Sequence, residues 1–138
     1  MKTYALPFCI FLLLLAAALT LACGTSSSTT RSATSLSVTP ATADGSSGPV
    51  QFTATAYYST QPSPVSPATA TWGACFQSAS TTEVSVSSSG VAQCGSGASG
   101  TFMIWAYVMN STGPVCNVVG PCGQGCGRVT GSAQLTCP

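Results

Sequence analysis

Three long stretches of this chain alternate apolar and polar side chains with a period of two. Val50, Phe52, Ala54 and Ala56 alternate with Gln51, Thr53, Thr55 and Tyr57. Phe102, Ile104, Ala106 and Val108 do the same within Thr101–Met109, and Val129, Gly131, Ala133, Leu135 and Cys137 within Arg128–Cys137. Successive residues of a strand point to opposite faces, so such runs suit half-buried strands and cannot hold one face as helices. Shorter pieces repeat the pattern at Leu36–Val38, Ala68–Ala74, Glu83–Val86 and Val91–Cys94. Between them lie Pro40, Gly45–Pro49, a loop with Pro62, Pro64 and Pro67, Ser87–Gly90 and Gly95–Gly100, all turn chemistry. After residue 22 no segment shows a helical repeat of useful length. Seven short strands with regular turns describe an all-β, two-sheet β-sandwich.

Ahead of the strands the pattern is of another kind. Lys2 precedes an apolar run, Ala5 to Ala22, that stops at Cys23, and Gly24 to Thr30 contains no apolar side chain. A positive n-region, an h-region from Phe8 to Leu19 and a small-residue site make the layout of an export signal. The run could also just span a bilayer as an uncleaved anchor, or be cut by the ordinary secretory peptidase to free a soluble protein. Leu19-Thr20-Leu21-Ala22-Cys23 resembles the lipobox of bacterial lipoproteins. That resemblance implies cleavage before Cys23 and lipidation of its sulfur with a diacylglyceryl group, often with a further, amide-linked acyl chain such as palmitate. One acyl chain holds a protein only marginally, so stable anchoring needs more than one. Gly24, in place of Asp, implies outer-membrane sorting in a cell with two membranes. The expected organisation is a signal peptide over residues 1–22, the lipidated cysteine and a Ser/Thr-rich tether over 23–33, and a folded domain over 34–138.

Charge is almost absent. Once Lys2 leaves with the signal, Arg31 and Arg128 face Asp44 and Glu83, and the remainder is formally neutral. Nucleic-acid binding needs clustered Lys and Arg to displace counterions, so no nucleic-acid partner is expected. No polybasic patch exists to hold an anionic membrane, and membrane attachment rests on Cys23. The chain has no histidine and no lysine after Lys2, which removes Ser-His-Asp, Cys-His and Ser-Lys arrangements. An acid/base pair would have to be Asp44 with Glu83, yet Ala43-Asp44-Gly45-Ser46 reads as a turn. The expectation is a non-enzymatic protein without a cofactor.

Cys9 falls in the signal and Cys23 at its end, leaving Cys75, Cys94, Cys116, Cys122, Cys126 and Cys137. An even number in an exported chain of this size argues for disulfides in an oxidising compartment. A zinc site from Cys116, Cys122, Cys126 and Cys137 is the competing reading, although zinc sites more often use tight CxxC pairs with histidine. Counting strands up and down, Cys75, Cys94 and Cys137 end odd-numbered strands and should gather at one end of the sandwich. The other three lie in the loop 110–127, which starts at the opposite end. The preferred pairing is Cys75–Cys94, one pair within the loop, and Cys137 with the remaining loop cysteine.

From Leu36 to Leu135 the chain resembles the group-2 bacterial Ig-like domains (BIG2) of adhesins and surface proteins. The residues that carry the resemblance are Leu36-Ser37-Val38-Thr39-Pro40, Val50 to Ala56, Ala70-Thr71-Trp72, Val84 to Val91, Ser99-Gly100-Thr101-Phe102 and Gly131 to Cys137. It implies an Ig-like sandwich of about seven strands, to which this chain adds six cysteines and a long loop. Trp72, on the apolar face of the third strand, is expected in the core.

With Phe102, Ile104, Ala106 and Val108 facing inward, Met103, Trp105, Tyr107 and Met109 fall on the opposite face. A row of large apolar side chains on an exposed sheet face marks a contact surface, unless the cysteine loop folds back over it. Both readings stand at this point. Asn110-Ser111-Thr112 fits a glycosylation triplet but reads as an exposed turn. The function expected is a membrane-anchored, exported, non-enzymatic surface module with a binding, adhesive or structural role. Its partners are the lipid bilayer and a protein or glycan. A carbohydrate-binding module using Trp105 and Tyr107, or an envelope assembly subunit, are the alternatives.

Overall fold

The computed structural model describes residues 31–111 and 120–138. The leader, Cys23, the tether through Thr30 and Cys116 lie outside the described residues. The strands follow the alternation. They are β1 (Ala33–Thr39), β2 (Thr42–Asp44), β3 (Val50–Gln51), β4 (Thr53–Tyr58), β5 (Thr71–Phe76), β6 (Ala79–Ser80), β7 (Val84–Val86), β8 (Val91–Cys94), β9 (Gly100–Met109) and β10 (Arg128–Cys137). Among the described residues between β9 and β10 lies a 3-10 turn, Pro121–Gly123.

Two layers result. β3 and β4 form one run of chain interrupted at Phe52, whose N–H donates to the Gly90 carbonyl at 2.9 Å. That run pairs with β1 on one side and β8 on the other, so the first layer reads β1, β4/β3, β8, β7. The second layer is five-stranded, in the order β2, β10, β9, β5, β6. This is an Ig-like two-sheet β-sandwich. Seven of its strand runs coincide with the alternating segments; β2 and β6 are short additions at the edges of the second sheet. β2 joins β10 in parallel through Gln134–Thr136, which takes the chain across from one layer to the other after Pro40.

The core lies where the inward faces meet. Phe52, Phe102, Ile104 and Leu135 are fully buried, and burying a side chain of that size contributes about 1.5–3 kcal/mol. Phe76 and Phe102 pack with ring centroids 5.0 Å apart. Trp72 sits half-buried against this cluster, and the turn at Gly90 (φ +85°) passes so near its indole that a Cβ there would stand 2.9 Å from Cζ2. No polar side chain is buried among the described residues, as a neutral, hydroxyl-rich surface around an apolar interior requires.

The folded domain begins slightly before the change of pattern at Thr34. Ala33 is already buried. Arg31 lies over the Tyr58 ring at 3.7 Å and donates to the Pro62 carbonyl. The Ser32 carbonyl accepts from Ser59 N–H at 2.9 Å.

The preferred disulfide pairing is corrected. Cys94 is joined to Cys137, and Cys75 to Cys122. Cys126 is also disulfide-bonded, with a partner outside the described residues. The reason Cys75 does not meet Cys94 is facial. Cys75 stands opposite Met103, on the outer face of the five-stranded sheet. Cys94 shares the inward face of β8 with buried Ala92, and there it meets Cys137 of β10 and ties the two layers together. A sheet separates the two cysteines although both lie toward one end. Because these sulfurs are in disulfides, they are not available as zinc thiolates.

Candidate functional site

The outer face of the five-stranded sheet carries every side chain singled out for contact. Antiparallel register fixes it row by row: Thr71, Tyr107 and Thr130; then Gly73, Trp105 and Ser132; then Cys75, Met103 and Gln134. Met109, opposite Arg128, ends the series. The strand places Met103, Trp105, Tyr107 and Met109 together, as the period of two requires.

The structure divides this row. Met103 and Met109 are exposed, at 37% and 60%, whereas Trp105 and Tyr107 are half-buried. The rings of Trp105 and Tyr107 stack with centroids 5.9 Å apart and an interplanar angle of 15°. Arg128 lies over the Tyr107 ring at 4.1 Å. Over Trp105 comes the segment Gly120–Gly127, returning from the far end of β9 and fixed by Cys75–Cys122. Gly123, at φ +74°, passes so close that a Cβ would stand 2.5 Å from the indole Cε3. The indole N–H is buried and has no hydrogen-bond partner among the described residues. Part of the cysteine loop therefore does fold back, and it covers the tryptophan without covering the methionines.

Beside this strap the face is open. A groove of about 600 Å³ runs past Met103, walled by Gln77 and Ser78 on one side and by Thr42, Ser132 and Gln134 on the other. Gln77 and Ser78 form the two-residue turn between β5 and β6, at φ 46° and 68°. Positive φ at both positions is what a type I′ hairpin turn demands, and neither residue is the Gly or Asn that adopts it without strain. Nothing in the composition marked Gln77-Ser78 as a turn. Nor did it mark Thr42 as a strand beside the groove, because β2 is recruited only by the edge of β10. A smaller groove of about 250 Å³ lies on the other side of the molecule between Trp72, Gln51–Ala54 and Ser88–Ser89.

The two carboxylates lie outside both grooves. Asp44 is exposed and accepts from Ser46 N–H at 2.8 Å, the local bond its turn setting favours. That bond, together with a further one from the Ser46 side chain, holds its carboxyl below the ordinary value. Glu83 is exposed ahead of β7, where its carbonyl accepts from Gly95 N–H at 2.7 Å. Both residues flank the Cys94–Cys137 bridge: a Cβ at Gly45 would stand 2.6 Å from Cys94 Sγ, and Val84 pairs with Cys94.

No protein-family model matches the chain, and no curated protein matches it.

Proposed function

We propose that this protein is an exported, non-enzymatic surface module. In this reading Cys23 is lipidated and anchored to the cell envelope, and the chain belongs with the lipoproteins and bacterial Ig-like domains it resembles. The contact surface is the open half of the outer sheet face around Met103. The observation that carries the reading is the division of that face. One half is closed by a disulfide-held strap, and the other is an open groove with an exposed methionine and neutral hydroxyl and amide walls. A neutral wall of this kind suits an uncharged partner, because no charged group must be stripped of water to bind. Disulfides add support for export, since they persist in oxidising compartments.

A protein partner is favoured over a sugar. Stacking on a sugar needs an open aromatic face, and Gly123 and Arg128 already lie against Trp105 and Tyr107.

Two measurements test this. The intact mass of native material should show a diacylglyceryl adduct on Cys23, and an unmodified thiol there overturns the anchor. A photo-crosslinker at Ser132 should capture a partner on intact cells while one at Ser37, on the other sheet, should not. Equal capture from both positions, or strong binding on a glycan array, overturns the assigned surface.

A further inference from the structure

The four charged side chains of the described residues are sorted by end of the sandwich. Arg128 stands opposite Met109, at the end where β10 starts and β9 stops. Arg31 is at the same end, because Ser111 Oγ donates to its carbonyl at 2.8 Å and Ala33 pairs with Tyr58. Asp44 pairs with Thr136 and Glu83 precedes the Val84–Cys94 pair, both at the opposite end. Apolar exposure is sorted in the same direction. Of the three large hydrophobic residues exposed among the described residues, Met109 and Tyr57 lie at the arginine end.

The arginine end is also where the chain arrives from Cys23. Gly24 to Thr30 are seven residues, which reach at most about 25 Å in any arrangement. β10, with ten residues, puts the carboxylate end roughly 30 Å farther away. Arg31 and Arg128 are held over Tyr58 and Tyr107, so their charge is fixed at this end and not spread over a mobile reach.

We infer that the tether end of the sandwich is a membrane-facing surface. Arg31 and Arg128 meet anionic headgroups, Met109 and Tyr57 approach the lipid boundary, and the Asp44–Glu83 end points away. This rests on the lipid-anchor reading above. Two arginines would not bring a free protein to a membrane. For a domain already tethered, the loss of translational freedom has been met by the anchor, and a weak preference is enough to set its stance. Each arginine near an anionic surface shifts the docked-to-undocked ratio about fivefold, within a screening distance of about 8 Å at physiological salt. The inverted stance would press both carboxylates against like charge.

The test uses the full chain purified from cells and reconstituted in two kinds of vesicle. One kind is phosphatidylcholine with a quarter phosphatidylglycerol; the other is phosphatidylcholine alone. Amide hydrogen exchange is compared with the detergent-solubilised protein. On the anionic vesicles, exchange over residues 59–67 and 110–111 should slow several-fold, with residues 45–49 and 95–99 unchanged. The difference should vanish in half-molar salt and shrink in Arg31→Gln/Arg128→Gln, whose fold is checked by unchanged protection in β9 and β10. A chain that carries the lipid and floats with the vesicles, yet exchanges equally at both ends, overturns the stance and leaves the anchor standing. Protection at the carboxylate end, or equal protection on uncharged vesicles, also overturns it. A chain with no lipid on Cys23 overturns the anchor and the stance together.

Discussion

Gly73 of β5 lies directly opposite Trp105 of β9, and the indole covers it so closely that a Cβ at position 73 would fall well inside 3.0 Å of Cζ2. The tryptophan can lie down on the sheet only because its neighbour has no side chain. Gly123 then passes over the same ring, so the indole is held between two glycines from distant parts of the chain. Gly73→Ala should force the ring aside and destabilise the domain by about 1–3 kcal/mol. Thermal melting with Trp105 as reporter, in a Trp72→Phe background, checks this; an unchanged melting point and emission would rule the arrangement out.

Cys75–Cys122 fixes the strap, and Cys94–Cys137 ties the layers. The bridges close loops of similar size, with sequence separations of 47 and 43, so each should contribute about 4 kcal/mol on chain-entropy grounds. Replacing either pair by alanines should cost comparable stability. Only loss of Cys75–Cys122 should raise the accessibility of Trp105 to acrylamide. Non-reducing peptide mapping should recover Cys75 linked to Cys122 and Cys94 linked to Cys137, and a Cys75–Cys94 peptide would contradict the fold.

Gln77 and Ser78 hold left-handed backbone at the wall of the groove. Replacing Ser78 by Gly, which adopts positive φ without the Cβ clash, should stabilise the domain by about 1 kcal/mol. If the turn was kept for its side chains, the same substitution should weaken partner capture from Ser132 while the melting point rises. A fall in melting point would show that the strain is absent.

Stability should respond to acid and little to neutral pH. Asp44 is held below its ordinary value by Ser46, so its contribution is present above the unfolded value near 3.8 and is lost as pH falls through the lower folded value. The chain has no histidine, the one side chain whose ordinary titration falls between pH 5 and 8. Melting temperature measured from pH 2 to 8 should be level above pH 5. Asp44→Asn should flatten part of the acid limb, and a step near pH 6.5 would count against this account.

Residue by residue, the alternation was enough to say which side chains face inward. Phe102, Ile104, Ala106 and Val108 were assigned to the core because the two-residue period is local and needs no knowledge of neighbours. It also placed Met103, Trp105, Tyr107 and Met109 on one face, and the even set of cysteines pointed to disulfides. What covers that face was not readable from sequence, since it depends on which strand lies beside which. The same holds for the pairing of cysteines. Cys75 and Cys94 stand close along the chain and toward one end of the sandwich, yet the sheet between them sends each to a different partner. Pattern along a strand is a one-dimensional property, whereas covering, bridging and the sorting of charge by end arise only when distant segments are brought into register.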